Sequence, residues 1–244
     1  GSFLNVCISR FPEGISIIKP RSRCPKCLTP INFYDNIPLL SFLFLRGRCR
    51  SCSAPIPWRY PAVELLTGIV TVLLFREWRA EPLWLSAALA AAYILIVTAF
   101  IDFETMMISE ISSYGLAGLG LLAFSFNPYF EGPVSSRFLA FLAGGAAGAF
   151  IIWLMAWLGK KIYKKDAVGE GDIFLMAGIG ALTGWQGVIS ALMMASFFGS
   201  VYGVGLMLAG KAKRFDHIPF GPFLALGAVI NLYHLVRITD LLIY

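Results

Sequence analysis

Six long apolar runs leave this chain few ways to fold. They are Tyr60–Arg76, Pro82–Ile101, Ile111–Phe126, Arg137–Leu158, Gly187–Ala209 and Ile218–Ile238. A helix crossing the hydrocarbon core of a bilayer needs about 20 mostly apolar residues, with a range of about 17–25, and each run is of that order. A shorter run, Asp172–Thr183, reads as a tilted or partly buried span. Gly1–Ser9 covers only about half of the core at about 1.5 Å per residue. It lacks the basic segment that opens a signal peptide, so it reads as the end of a first transmembrane helix whose earlier turns precede this sequence. The expectation is an all-α polytopic membrane protein of about eight transmembrane helices, the first of them truncated. Charged residues make up only 14% of the chain, against about 25% in soluble proteins. That excludes a soluble globular domain, and the abundance of apolar side chains excludes a disordered chain.

Basic residues orient these runs. Nine lie between Arg10 and Arg59 (Arg10, Lys19, Arg21, Arg23, Lys26, Arg46, Arg48, Arg50 and Arg59), against two acids, Glu13 and Asp35. A second cluster is Lys160, Lys161, Lys164 and Lys165, and a third is Lys211, Lys213 and Arg214. Alternating the spans from the first puts all three clusters on one face, which the positive-inside rule makes cytoplasmic. The net charge of +6 therefore belongs to the membrane face, and no nucleic-acid partner is expected. The sequence divides into a helix remnant at 1–9, a cytoplasmic loop module at 10–59 and a membrane domain at 60–244.

The loop module is polar and proline-rich, with no apolar run long enough to span. It carries Cys24-Pro25-Lys26-Cys27 and Cys49-Arg50-Ser51-Cys52. Two CxxC knuckles complete a tetrahedral Cys₄ shell, which suits structural zinc and leaves no position open for chemistry. The competing readings are reduced, unliganded cysteines or a redox couple; a cytoplasmic location disfavours stable disulfides. Cys7, alone in an apolar run, reads as a small packing residue.

Ionisable residues in or beside membrane spans are costly to keep, which makes them functional candidates. Asp102 ends one apolar run and Asp172 opens another within Gly169-Glu170-Gly171-Asp172, both at the cytoplasmic edge. Two converging aspartates repel, so that one holds a proton while the other is ionised. That arrangement activates water against a peptide carbonyl without a metal. Gly169 and Gly171 would let a substrate backbone approach and would tolerate strained torsions. Read from spacing alone, the same aspartates are equally compatible with solvated helix caps. Glu104, Glu110, Asp166 and Glu170 read as solvated interface charges. Glu64, entering an apolar run, is either a polar packing contact or a group near a ligand.

The order of these features resembles the bacterial type IV prepilin peptidases, membrane aspartyl proteases of the GxGD class. The resemblance rests on Gly1-Ser2-Phe3-Leu4-Asn5-Val6, the cysteine tetrad, and Tyr34-Asp35-Asn36-Ile37-Pro38-Leu39-Leu40-Ser41. It continues through Arg46-Gly47-Arg48-Cys49, Arg59-Tyr60-Pro61-Ala62-Val63-Glu64, Ile101-Asp102, Gly169-Glu170-Gly171-Asp172 and Ile218-Pro219-Phe220-Gly221-Pro222-Phe223. It implies cleavage of a short basic leader from prepilins and pseudopilins of type IV pilus and type II secretion systems. Cleavage would occur at the cytoplasmic face of the inner membrane, with Asp102 and Asp172 as the catalytic pair. It implies N-methylation of the new N-terminus with S-adenosylmethionine, linked to Gly47, Arg48 and Glu64. Two positions depart from the family pattern: Ile108-Ser109-Glu110 stands where Ile-Pro-Asp is common, and Phe174 where a lysine often follows the second aspartate. The resemblance leaves the substrates' identity and the oligomeric state open. An ion transporter would more often place its carboxylates near the bilayer midplane. A methyltransferase without protease activity is the third reading.

Overall fold

The computed structural model describes residues 1–19, 21–164, 169–213 and 217–236. Pro20, Lys165, Asp166, Arg214 and the end of the expected Ile218–Ile238 span lie outside the described residues. The chain forms two compact units, Gly1–Leu73 and Leu74–Tyr244. Among the described residues there are helices and no strands, with isolated bridges only at Arg23–Pro30 and Arg48–Pro55, so the all-α expectation holds.

The first unit contains α1 (Ser2–Arg10), a short 3₁₀ turn (Phe33–Asn36), α2 (Leu40–Phe44) and most of α3 (Arg59–Trp78). Asn5, 1% exposed, donates from Nδ2 to the Tyr60 carbonyl at 3.1 Å and so fixes α1 on α3. Cys7 is buried, as a packing residue should be. Between residues 11 and 58 the buried side chains among those described are Cys24 and Ser41, while Ile18, Phe33, Phe44 and Trp58 are exposed. This stretch has almost no apolar core of its own.

The second unit is built from α4 (Pro82–Thr105), α5 (Glu110–Ala123), α6 (Val134–Tyr163), α7 (Glu170–Leu208) and α8 (Gly221–Tyr233). Three helices are long and apolar enough to cross a membrane: Pro82–Thr105, Val134–Ile162 and Glu170–Leu208. The expected span at Ile111–Phe126 is shorter as a helix. α5 has 14 residues, about 21 Å, against a hydrocarbon core of about 30 Å.

α7 is a hairpin. Its 39 residues would measure about 58 Å as one rod, but the backbone breaks at Gly184, with φ 70° and ψ −179°. A Cβ on Gly180 would stand 2.8 Å from Val188 Cγ2, whereas uninterrupted helix would separate these residues by about 12 Å. The chain therefore turns back at the positive-φ glycine, which any other residue would strain. The two limbs correspond to the separate runs Asp172–Thr183 and Gly187–Ala209 read from the sequence.

Glycine contacts fix the direction of each helix. Positions where a Cβ would collide pair Gly178 with Leu116 and Gly120 with Ala181, so α5 runs parallel to the first limb of α7. Gly144 meets Gly180 and Gly148 meets Met176, so α6 runs antiparallel to it; Gly227 meets Ala191 and Gly199 meets Phe223, so α8 opposes the second limb. One end of the unit therefore gathers Asp102, Asp172, the start of α8 and the lysines closing α6. The opposite end carries Trp78, Trp84 and Tyr129, whose rings meet edge to face at centroid distances of 5.4–6.2 Å. There Asn127 donates to Leu182 O at 2.7 Å, and Ser190 donates to Asn231 Oδ1 at 2.9 Å, locking the α7 turn to its neighbours.

A Cβ on Gly144 would collide with the Gly180 carbonyl oxygen, a backbone atom that cannot rotate away. Gly144→Val should force α6 off α7 and destabilise the protein by about 3 kcal/mol or more. Thermal unfolding in detergent, read by near-ultraviolet circular dichroism, checks this.

Candidate active site and metal centre

Asp102 lies one turn before the end of α4, which closes with Met106 in the left-handed region (φ 53°). Its side chain abuts the start of α8: a Cβ on Gly221 would stand 2.7 Å from Asp102 Oδ2. Asp172 occupies the first turn of α7, where Oδ2 accepts a hydrogen bond from the Gly169 backbone N–H at 3.1 Å. Its Oδ1 is buried with no hydrogen-bond partner among the described residues. The two carboxylates are close enough for the charge of Asp102 to act on Asp172. Ile108 wedges the elements together, its side chain lying 2.8 Å from a Cβ on Gly171 and 3.0 Å from one on Gly221.

Burial separates these two acids from their neighbours. Asp102 is 5% exposed and Asp172 6%, while Glu104, Glu110 and Glu170 are exposed, as read from the sequence. A buried carboxylate oxygen without a donor is costly, and such defects concentrate where chemistry uses them. Gly169 and Gly171 serve differently from the sequence expectation. Gly169 has φ −73° and ψ 150°, open to any residue, and Gly171 is helical, so neither stores a strained torsion. Gly171 is required instead because Ile108 leaves no room for a side chain.

In the sequence Gly221 is one residue of a longer motif; its own role shows only in the structure. Gly221→Ala drives a methyl group into Asp102 Oδ2, displacing that carboxylate with limited effect on folding. We expect hydrolysis to fall by about 10²-fold, checked by initial rates alongside a melting curve. Phe174, in place of the expected lysine, packs its ring against Tyr114 at a centroid distance of 6.1 Å.

The second centre lies in the first unit. The sulfur atoms of Cys24, Cys27, Cys49 and Cys52 all lie within 4.8 Å of one another, and none is in a disulfide. Cys24 and Cys52 Sγ are 3.8 Å apart, the edge of a tetrahedron with Zn–S bonds of about 2.3 Å. The two knuckles have the same fold. In each, the first cysteine's carbonyl accepts from the residue four positions on, Leu28 N or Ser53 N, both at 2.9 Å. Leu28 and Ser53 both have positive φ, 59° and 57°. The underlying signal is a repeat, Arg-Cys-x-x-Cys-x-x-Pro at 23–30 and 48–55, which spacing of the cysteines alone does not bring out.

The thiols are tuned unequally. The Thr29 hydroxyl, 3.3 Å from Sγ, and the Thr29 backbone bring the Cys27 thiol down to about 6. At Cys52 the Ala54 backbone pulls down, but desolvation and the neighbouring thiols outweigh it and push the group up to about 11. The first thiolate forms easily and the last is opposed by the others, so the donor set fits a divalent cation that neutralises them together.

The remaining expected residues surround this centre. Glu64 is a clamp: Oε1 accepts from Ser2 Oγ at 2.5 Å and Oε2 from the Leu39 backbone N–H at 2.8 Å, which favours the packing reading. Arg50 grips Asp35 through paired bonds of 2.6 and 2.9 Å, and its guanidinium holds the Asp35 carboxyl below the usual range. Gly47 (φ 68°) donates to Phe42 O at 2.8 Å. Arg48 lines a cavity of about 610 Å³ with Phe44, Arg46 and Arg50.

Residues 1–78 match the bacterial peptidase A24 N-terminal domain and residues 88–204 the type IV leader peptidase family. The prepilin leader peptidase/N-methyltransferase of Aeromonas salmonicida (strain A449) is 35% identical over 258 residues, 95% of this chain and 86% of that protein. Its namesake in Aeromonas hydrophila is 38% identical with the same coverage. That of Myxococcus xanthus is 41% identical over 87% of this chain and 62% of its own length. No solved structure matches the chain.

Proposed function

The chain belongs to the type IV leader peptidase family, and from that premise we propose how it cleaves prepilin leaders and N-methylates the product. Asp102 and Asp172 hold the reacting water. The ionised carboxylate takes a proton from it as oxygen attacks the scissile carbonyl, and the protonated one donates to the carbonyl oxygen. Collapse of the tetrahedral species moves a proton to the leaving amine and restores the pair. The observation that carries this reading is the burial of both acids at one end of the unit, with Asp172 Oδ1 unsatisfied. Gly169 steadies Asp172 through its backbone N–H, and Gly171 admits the Ile108 wedge. No metal takes part in this step.

The aspartate end is the cytoplasmic end of a multi-pass inner-membrane protein of about eight spans. Lys160 and Lys161 at the same end support this, since cations collect on the cytoplasmic side; so does the aromatic cluster at the other end. Lipid surrounds the membrane domain at 60–244, and the module at 10–59 stands in the cytoplasm beside the remnant at 1–9. Cys24, Cys27, Cys49 and Cys52 hold one structural zinc ion, which supplies cross-linking and no bond-making chemistry. S-adenosylmethionine is the methyl donor. The arginine-lined cavity beside Gly47 and Arg48 supports assigning methylation to that loop, with Glu64 positioning it through Leu39. Purified protein incubated with a prepilin, with and without S-adenosylmethionine, tests the reading by intact mass. Loss of the leader, then a gain of one methyl group only with the donor, is the expected result; an unchanged mass would overturn it.

A further inference from the structure

We infer that Phe103, Tyr202 and Phe223 form a shelf that receives a large apolar substrate side chain beside the scissile bond. The side chain belongs to the membrane-borne part of the substrate, and the inference rests on the function proposed above. The three rings come from different helices and meet pairwise, with centroids 6.0 Å apart for Phe103–Tyr202 and Phe103–Phe223 and 5.5 Å for Tyr202–Phe223. Their place relative to the acids is fixed by the chain. Phe103 follows Asp102 directly, and Phe223 stands two residues after Gly221, which touches Asp102 Oδ2. Tyr202 arrives on the returning limb of α7, next to Gly203, whose missing Cβ makes room for Ile218 at 3.0 Å.

Exposure gives the shelf its shape. Phe223 is 8% exposed and makes the floor, while Phe103 and Tyr202 are 44% and 39% exposed and stand open on the outside of the unit. α8 packs against both α4 and α7, but α4 and α7 share no such seam. The rings therefore sit where two helices are joined only through a third. On the other flank of Asp102, Ile108 fills the space against Gly171 and Gly221.

Successive residues of an extended substrate are about 3.5 Å apart, so the residue adjoining the cleaved bond falls within reach of rings that neighbour Asp102. A basic leader belongs in water beyond the helix ends. The apolar segment lies along the helices, and the rings face that side. Aromatic surface left open beside a reactive group takes an apolar or aromatic partner.

The test uses full-length protein and prepilins carrying Phe, Leu or Ala at the first residue after the cleaved bond, and Gly, Ala or Lys at the residue before it. Wild type should favour Phe over Ala after the bond by about 10-fold or more in kcat/KM. Phe103→Ala and Tyr202→Ala should bring that ratio toward one, with Phe103→Leu intermediate, while the preference before the bond stays put. A general packing defect would slow every substrate alike and leave the ratio intact, and that result overturns the shelf. So does a wild type indifferent to the residue after the bond, or variants that alter only the leader-side preference. Failure of the underlying reading is distinct: wild type would cleave none of the prepilins.

Discussion

Asp102→Asn and Asp172→Asn should each stop leader cleavage, lowering kcat/KM by about 10⁴-fold or more, while the protein stays folded and membrane-inserted. Either amide preserves the volume of the carboxyl group. The amide oxygen introduced by Asp172→Asn can still accept the Gly169 N–H bond that Asp172 Oδ2 receives, so the first turn of α7 keeps its cap. Asparagine cannot take a proton from water, so attack on the carbonyl loses its base; where the amide replaces the protonated partner, the carbonyl loses its acid. Removing either member disables the pair as a unit, and the double variant should be little worse than either single one. Because Asp172 Oδ1 is buried without a donor, the neutral replacement should leave the melting temperature unchanged or raised. Methylation of a pre-cleaved substrate should persist, since the residues assigned to it lie in the other unit. Full cleavage by either single variant would remove the pair from the mechanism.

The same contrast, activity lost with the fold intact, explains what could be read from residues alone. Apolar run lengths located the helices, and the break between Asp172–Thr183 and Gly187–Ala209 was legible because a glycine falls between them. α5 was read too long because hydropathy continues through Leu121–Phe126, whereas the helix ends at Ala123, before Asn127 and Pro128. Burial of Asp102 and Asp172 beside exposed Glu104, Glu110 and Glu170 could not be read, since all five occupy similar helix ends in sequence. What separates them is tertiary: Gly221 and Gly171 admit close neighbours, and a glycine carries no pattern that says which neighbour it admits. Glu64 shows the same limit. Its partners, Ser2 and the Leu39 backbone, lie 62 and 25 residues away, so neither reading could be preferred from the sequence.

Withdrawing zinc from the loop module should unfold that module and little else. Between residues 11 and 58 the buried side chains described are Cys24 and Ser41, so hydrophobic burial has almost nothing to contribute there. Structural zinc sites in small modules supply about 10–16 kcal/mol of apparent binding free energy at neutral pH, far more than the Arg50–Asp35 pair, a surface contact worth at most about 1 kcal/mol. Without the ion, four sulfur atoms within 4.8 Å become mutually repulsive as they ionise, and the knuckles lose their common centre. Prolonged chelation, or Cys24→Ser with Cys52→Ser, should therefore abolish hydrogen-exchange protection of the Cys24, Leu28, Cys49 and Ser53 amides, which the knuckles engage. Protection along α4–α8 should remain, because those helices bury their own apolar surface. The metal content should fall from one zinc per chain to none in step with that loss. Methylation should disappear with the module, while any leader hydrolysis that survives separates the aspartate chemistry from the metal. Purified protein that holds no zinc yet keeps those four amides protected would show that the tetrad is not a metal site.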